Sequence, residues 1–379
     1  MAATAPGASR RALTVVQLLP ALEAGGVERS TLEIADALQR GGHHAVVVSA
    51  GGRLVPALEE TGARHVRLDI GRKSPWTLRH AWTLRRLFAD VGADIVHARS
   101  RLPAWLAVLA LAGRSARARP RLVTTVHGLN SPSRYSAVMA RGERVICVSE
   151  TVRKHVLAHY PATDPARLRV VPRGVDPRRF PRAPGRDAAA RAAVAERHPA
   201  LGGFGALLLM PGRGTRLKGH ADALQLLARL RADGEDARLW MPGARDPSRA
   251  AYVAELEALA RTLGIEEVVA MTGPTDAIAE AYAASDLVLQ LSRRPEAFGR
   301  TVLEARAVGR AVLGWDHGGV GETLHAWQPE GLVEPFDMEA LQLAAHVLLA
   351  RPPSPPATMP DTLREMQDAT LAVYAELID

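Results

Sequence analysis

Short runs rich in Val, Ile and Leu recur along the chain, spaced so that a helix fits between most neighbours. In the first half they are LTVVQLL at 13–19, HAVVVSA at 44–50, HVRLDI at 65–70, DIVHA at 94–98, RLVTTVHG at 121–128, RVICVSE at 144–150 and LRVVPRG at 168–174. Runs that stay apolar instead of alternating are the mark of strands buried on both faces. Between the first two, GGVERSTLEIADALQRGG at 25–42 puts Leu32, Ile34, Ala35 and Leu38 on one helical face, with glycines at either end. Strand–helix–strand alternation of this kind predicts a parallel sheet covered on both sides.

The pattern breaks at PRGVDPRRFPRAPGRD, 172–187, whose four prolines and two glycines read as a linker. It then restarts. ALLLMPG (206–212), ARLWMPG (237–243), VVAMTG (268–273), LVLQLS (287–292) and RAVLGW (310–315) read as strands. Helices are predicted near 220–233, 249–263 and 301–308. A proline-rich segment at 351–360 precedes a last amphipathic helix, about 362–377. The expected organisation is α/β, with two Rossmann-like, doubly wound parallel-sheet domains at 1–178 and 179–361. The terminal helix, 362–379, is expected to pack back on the first domain. In such sheets ligands bind beyond the strand C-termini, so the two domains should face a central cleft.

Composition narrows the classes. The 379 residues suffice for two cores, and 47% apolar with 23% charged residues is ordinary for a globular protein. A single cysteine, Cys147, inside an apolar run, excludes a disulfide framework and reads as a small buried hydrophobe. SRRALTVVQLLP at 9–20 resembles a twin-arginine export signal. Its apolar run, however, is short, is interrupted by Gln17 and soon meets Glu23, so a first strand is the better account and a cytoplasmic location is expected. The next apolar run, 102–112, is far below the roughly 20 residues that span a bilayer. Charge is uneven: residues 1–180 carry 28 Lys+Arg against 13 Asp+Glu, and residues 181–379 carry 20 against 27. A basic first half suits an acidic partner, an anionic membrane surface or a phosphorylated acceptor. With 4% aromatic residues there is little for base stacking, and no nucleic-acid partner is expected.

Among 48 basic residues only Lys73, Lys154 and Lys218 are lysines. Lys218 lies in MPGRGTRLKGH, 210–220, after a strand and before a helix, where phosphates bind in such domains. Gly212 and Gly214 permit close backbone approach, and Arg213 and Lys218 are spaced to reach one diphosphate. Taken alone, the stretch reads equally as a solvated basic loop, and it lacks the Walker A pattern. RRPEAFGRTVLEAR, 293–306, places Glu296 in a loop and Glu304 one turn into a helix opened by Gly299, Arg300 and Thr301, whose amides can receive an anion. A carboxylate can grip two adjacent hydroxyls, although a single glutamate there is otherwise explained by the helix dipole.

Arg213-x4-Lys218 followed by Glu296-x7-Glu304 resembles the retaining glycosyltransferases of family 4, which have the GT-B fold. GGVERSTLEIADAL, DIVHARSRLPAW, TTVHGLNSPSRYSAVMARGERVICVSE, VVPRGVD and GGVGE are similar to that family in the same order, from about residue 13 to 325. The resemblance implies a hexosyltransferase that moves a hexose-type sugar from a nucleotide diphosphate sugar with retention of configuration. In it Arg213 and Lys218 would neutralise the diphosphate, Glu304 would hold the ribose and Glu296 the transferred sugar. Phe298, Gly299, Arg300 and Thr301 would line the donor site, and His127 would sit by the reacting carbon. Gly25 and Gly26 would let the first loop approach the phosphates, assisted by amides at Gly318 and Gly319. Glu28 and Arg29 match in position without an assigned task. No Asp-x-Asp occurs, so no metal and no cofactor beyond the donor substrate is expected.

VHARSRLPAW and NSPSRYSAVMARG are most similar to members that build lipopolysaccharide cores. That implies an anionic glycolipid or saccharide acceptor, with Arg99, Arg101, Arg134 and Tyr135 as contacts on cleft-facing loops, and peripheral contact with the inner membrane. RKSPWTLRHAWTLRRLF, 72–88, is basic with Trp76, Trp82 and Phe88 at helical spacing. It reads as an interfacial helix or, equally, as a surface helix packing its tryptophans inward. Two other classes remain open, a sugar-nucleotide epimerase of the same architecture and a non-catalytic nucleotide-sugar-binding protein. A dehydrogenase is disfavoured because LLPALEAGGVER has no Gly-x-Gly-x-x-Gly.

Overall fold

The computed structural model describes residues 11–23, 25–113, 115, 119–183, 185–355 and 361–378. Ser9 and Arg10 of the export-like segment and 356–360 of the proline-rich segment lie outside them. The chain forms two compact units, Met1–Pro172 with Leu363–Asp379, and Arg173–Thr362.

In the N-terminal unit all seven apolar runs are strands: β1 Thr14–Leu18, β2 His44–Ser49, β3 Arg64–Arg67, β4 Ile95–Ala98, β5 Arg121–Val126, β6 Arg144–Cys147 and β7 Leu168–Val170. They form one sheet in the order β3-β2-β1-β4-β5-β6-β7, with parallel pairing throughout. The two faces explain the unbroken apolar runs. Val15 joins a cluster with Ile34, Leu38 and Tyr374, while Val16 and Leu18 join one with Leu84, Phe88 and Leu106. Gln17 interrupts β1 because it points into a buried polar contact: its Oε1 accepts from Arg99 Nε at 2.8 Å and its Nε2 donates to the Thr31 carbonyl at 3.1 Å. Cys147 is fully buried, and burial pushes its thiol up to about 12.

The C-terminal unit repeats the plan with β8 Ala206–Leu209, β9 Ala237–Pro242, β10 Val269–Thr272, β11 Leu287–Gln290, β12 Ala311–Trp315 and β13 Leu332–Val333. The order is β10-β9-β8-β11-β12-β13, again parallel. β13, two residues long, leaves no periodic signal. Each sheet reverses its winding once, between β1 and β4 and between β8 and β11, and crevices beyond the strand ends at such points are where ligands bind.

The linker is less free than its prolines suggest. Val175 and Phe180 are buried in the core of the second unit, and Asp187 caps the helix Ala188–Arg197. That unit therefore begins at Arg173, earlier than the 178/179 division drawn from proline content. The terminal helix, Leu363–Ala375, belongs to the first unit, where Met366, Val373 and Tyr374 join the cluster under β1 and β2. Its Gln367 Nε2 donates to the Glu33 carbonyl at 2.7 Å. Tyr374 OH lies 2.7 Å from His97 Nδ1, and His97 Nε2 lies 2.6 Å from Thr125 Oγ1, a buried polar chain running under the sheet's C-terminal edge.

That chain makes the last helix part of the first unit's fold. Tyr374→Phe should cost ~1 kcal/mol through the lost hydrogen bond, and Tyr374→Ala about 3–5 kcal/mol through the cavity. Urea unfolding followed by far-UV circular dichroism measures both; unchanged midpoints in both variants would refute this role for the helix.

Candidate active site

Beyond the reversal point of the first sheet lies a cavity of about 300 Å³, walled by Leu19 and Pro20 after β1, Arg99 and Arg101 after β4, and His127 after β5. Val27 and Glu28, from the first turn of the helix Gly26–Arg40, close it on another side. Gly25 has φ 151°, a backbone conformation that L side chains rarely adopt, so the entry to this helix favours glycine. Arg101 leans over the Tyr135 ring at 5.4 Å and reaches Ser136 Oγ at 3.4 Å.

Arg99 corrects the sequence reading. Expected as an acceptor contact on a cleft-facing loop, it lines the cavity but is 3% exposed, with Nε on Gln17 and Nη1 on Ser30 Oγ at 3.2 Å. Its Nη2 has no hydrogen-bond partner among the described residues. Burial lowers its pKa, and Tyr374 and then Glu33 offset that cost. The structure thus gathers Arg99, Arg101, His127 and Glu28 around one cavity, and leaves Arg134 and Tyr135 exposed beside it.

In the C-terminal unit, three loops meet beyond β8, β11 and β12. The first runs from Met210 to the helix His220–Ala232 and includes a single 3₁₀ turn, Arg216–Lys218. Gly219 takes φ 79°, and any Cβ there would fall 2.0 Å from the Leu291 carbonyl oxygen of the second loop. Arg293 N donates to the Leu217 carbonyl at 2.8 Å, and Arg293 pairs with Asp222 at 2.6 Å. The third loop interlocks with the second. Gly318 would meet the Glu296 carbonyl at 2.6 Å if it carried a Cβ, and His317 Nε2 lies 2.7 Å from the Ser292 carbonyl oxygen. Glycines here serve contact between loops. Gly214, expected to admit a ligand, instead lets the first loop approach the Ala244 carbonyl, 1.9 Å from its would-be Cβ. Gly319 N–H, expected to face phosphates, is donated to the Glu296 carbonyl at 2.7 Å.

This interlock brings Lys218 and Glu296 together, with Nζ 2.6 Å from Oε1. Gln290 Nε2 at 2.8 Å and Ser292 Oγ donate to the same oxygen, while Oε2 makes no hydrogen bond among the described residues. Burial alone would raise the Glu296 carboxyl; the field of Lys218 and the three hydrogen bonds outweigh it and hold the group below its ordinary value. Sequence reasoning missed Gln290 and Ser292, although two polar residues within LVLQLS were the visible signal.

Glu304 stands in the helix Arg300–Val308, which opens at Gly299 with φ 92°. Its Oε1 accepts from Arg300 Nε and its Oε2 from Tyr282 OH, both at 3.1 Å. Burial and then the Glu304 carboxylate push the Tyr282 hydroxyl up, which keeps it a donor. Phe298 is half-buried against the core, and Thr301 is half-buried in the first helical turn. Arg213 is exposed; its carbonyl accepts from Thr215 N at 2.7 Å, and its guanidinium makes no hydrogen bond among the described residues. The same loops thus hold Lys218 against Glu296 and Glu304 against Arg300. Among the described residues no group of three or more His, Cys, Asp or Glu is placed to hold a metal ion.

Two family models match the chain, "Glycosyltransferase Family 4" over residues 24–179 and "Glycosyl transferases group 1" over residues 201–359. A D-inositol 3-phosphate glycosyltransferase of Geodermatophilus obscurus is 32% identical over 220 residues, 56% of this chain and 47% of that protein. The chain therefore spans about half the length of the curated relatives it matches. Among solved structures, a glycosyltransferase from Rickettsia africae is 28% identical with a TM-score of 0.85, covering 97% of this chain and 99% of that one. Anabaena HepE, solved with UDP and glucose, superposes with a TM-score of 0.72 at 19% identity, over 97% and 96% of the two chains, and shares the fold.

His220, the first residue of its helix, is fully buried, and burial, with Lys218 adding to it, pushes its pKa down to about 4 from 6.5. Between those values the unfolded chain binds the proton that the folded chain refuses, so folding stability rises with pH over that window. His220→Leu should remove this slope. Its stability relative to the parent should improve by about 1–3 kcal/mol as pH falls from 7 to about 4, read from urea midpoints across that range. Parallel pH profiles for the two proteins would contradict it.

Proposed function

Because the chain belongs to the glycosyltransferases, matched by the family-4 and group-1 models across both units, we propose that it transfers a hexose-type sugar from a nucleotide diphosphate sugar to an anionic glycolipid or saccharide acceptor, with retention of configuration and without a metal ion. The observation that carries this reading is the Lys218–Glu296 pair at the reversal point of the second sheet. One Glu296 oxygen is saturated by three donors and the other is left to accept from sugar hydroxyls. Lys218, a compact charge at the end of a 3₁₀ turn, and exposed Arg213 meet the diphosphate, whose leaving-group charge grows during transfer. Glu304, steadied by Arg300 and Tyr282, takes the ribose hydroxyls. Gly299, Arg300 and Thr301 present the first amides of their helix to phosphate, with Phe298 alongside.

In the N-terminal unit, the cavity walled by Arg99, Arg101 and His127 receives the acceptor's anionic portion, and Gly25 and Gly26 form the adjoining loop. A buried arginine lining the cavity favours an anionic group over a neutral one. Similarity to a D-inositol 3-phosphate glycosyltransferase supports an acceptor bearing phosphate. The motifs VHARSRLPAW and NSPSRYSAVMARG incline the reading toward a lipopolysaccharide core, assembled at the cytoplasmic face of the inner membrane. Metal independence rests on the missing Asp-x-Asp, and a same-face departure of the nucleotide on the lack of a carboxylate pair suited to double displacement.

Calorimetry with a panel of nucleotide diphosphates and their sugars tests the donor site. Lys218→Met should weaken binding by about 10- to 150-fold, the equivalent of one charge-assisted hydrogen bond of about 1.5–3 kcal/mol, with Arg213→Ala in the lower part of that range. A melting curve without ligand separates this loss from unfolding. Transfer rates should survive chelator; activity lost to chelation and restored by magnesium or manganese would overturn metal independence, and undiminished binding by Lys218→Met would overturn the site.

A further inference from the structure

The segment 72–88 presents an outward face that the glycosyl-transfer chemistry does not use. It folds as the 3₁₀ turn Pro75–Arg79 running into the helix His80–Asp90. Thr77, Ala81, Leu84 and Phe88 point inward and are buried, the last three in the core cluster that covers one face of the first sheet. The opposite face carries Trp76 at 77% exposure, Trp82 at 71% and Leu78 at 50%. Two tryptophans and a leucine left in water on one short segment form the kind of apolar patch that marks an interaction site.

Charge decides what covers it. Arg72, Lys73, Arg79, Arg85 and Arg86 surround the patch, and no Asp or Glu occurs from residue 70 to 89. The Arg85 guanidinium lies 5.9 Å from the Trp82 ring centre. A second copy of this chain docking through the same patch would set these cations against their own kind, a penalty built into any isologous contact. A single-stranded nucleic acid would use the cations and indoles but would leave Leu78 and Pro75 without a partner. An anionic bilayer uses all of them, with indoles and leucine entering the headgroup boundary and cations facing lipid phosphates.

We propose that residues 72–86 form a docking face for an anionic phospholipid surface, with Trp76, Leu78 and Trp82 as the inserted side chains and Arg72, Lys73, Arg79, Arg85 and Arg86 as the electrostatic collar. The contact is peripheral, since no described helix is long and apolar enough to cross a membrane. It rests on this face alone and needs no turnover, so it can fail while the donor-site reading stands, and the reverse.

The full chain is sedimented with vesicles of mixed phosphatidylglycerol and phosphatidylcholine, and with vesicles of phosphatidylcholine alone. Binding to the anionic vesicles only, weakening as salt is raised, is the expected result. Trp76→Ala with Trp82→Ala should abolish it, and Arg79→Gln with Arg86→Gln should weaken it by roughly 25-fold, at about fivefold per cation. Because these side chains are exposed, melting midpoints should not move. The salt dependence of the unmodified protein tests the charge collar even if a variant misfolds. Equal binding to neutral vesicles, or unaltered binding by both folded double variants, overturns the proposal. So does loss of vesicle binding in favour of self-association, or of salt-dependent binding to an oligonucleotide, through the same tryptophans.

Discussion

An ammonium held 2.6 Å from a half-buried carboxylate, where the second sheet reverses its winding, sets the terms for the rest of the C-terminal unit. Either charge left alone there would cost several kcal/mol, so each requires the other in place before any ligand arrives. Ser292 and Gln290 complete the compensation from the carboxylate side. The geometry survives only because the loops carrying the two partners cannot slide: Gly219 lies against the Leu291 carbonyl, Gly318 against the Glu296 carbonyl, and Arg293 is fastened to Asp222. A side chain at either glycine would push the loops apart. The ion pair therefore explains the glycines, and the glycines make the ion pair possible.

The pair also accounts for a lysine at 218 in a chain that otherwise uses arginine. Forty-five of the 48 basic residues are arginine, which suits surface and buried fork-like contacts alike. Arg99 shows the buried case, spreading its planar group between Gln17 and Ser30 at the first sheet's reversal point. Lys218 must instead place one compact charge at the end of a tight turn against a single oxygen, and a planar guanidinium of that bulk does not fit the role. Each sheet puts a cation beyond its reversal point, Arg99 after β4, held by Gln17 and Ser30, and Lys218 after β8, held by Glu296. The second keeps its own counter-ion and leaves one carboxylate oxygen without a hydrogen bond among the described residues.

Strands were the most legible feature because burial on both faces leaves long apolar runs, and twelve of the thirteen fall within runs visible in the sequence. β13 escaped notice because two residues carry no period. The helix Met338–Ala350 is weakly amphipathic because Leu343 and Val347 stay exposed opposite its buried stripe of Leu341, Ala345 and Leu348. At the candidate site, motif spacing picked out Lys218, Glu296 and Glu304 but could not show which atoms meet. Tyr282 and Asp222 are brought in by tertiary packing, 22 and 71 residues from their partners Glu304 and Arg293, and nothing in the local pattern announces them. Gln290 and Ser292 lie within six residues of Glu296, and only the two polar positions in LVLQLS mark them. Gly214 and Gly319 were legible as close-approach residues, but they approach the Ala244 and Glu296 carbonyls, because a sequence shows that a backbone can approach something without showing what.

The two aromatic faces of the chain make the same point from the opposite side. Trp240, within β9, and Trp315, at the end of β12, vanish into the core, whereas Trp76 and Trp82 stay in water although a helix with an apolar face lies under them. Helical spacing alone cannot separate these cases, since Thr77, Ala81, Leu84 and Phe88 already satisfy the inward stripe. Once that stripe is filled, further large apolar residues on the same helix have no core to enter. Retaining them in water works against solubility unless a surface elsewhere receives them, and the cations around them specify the sign of charge such a surface carries.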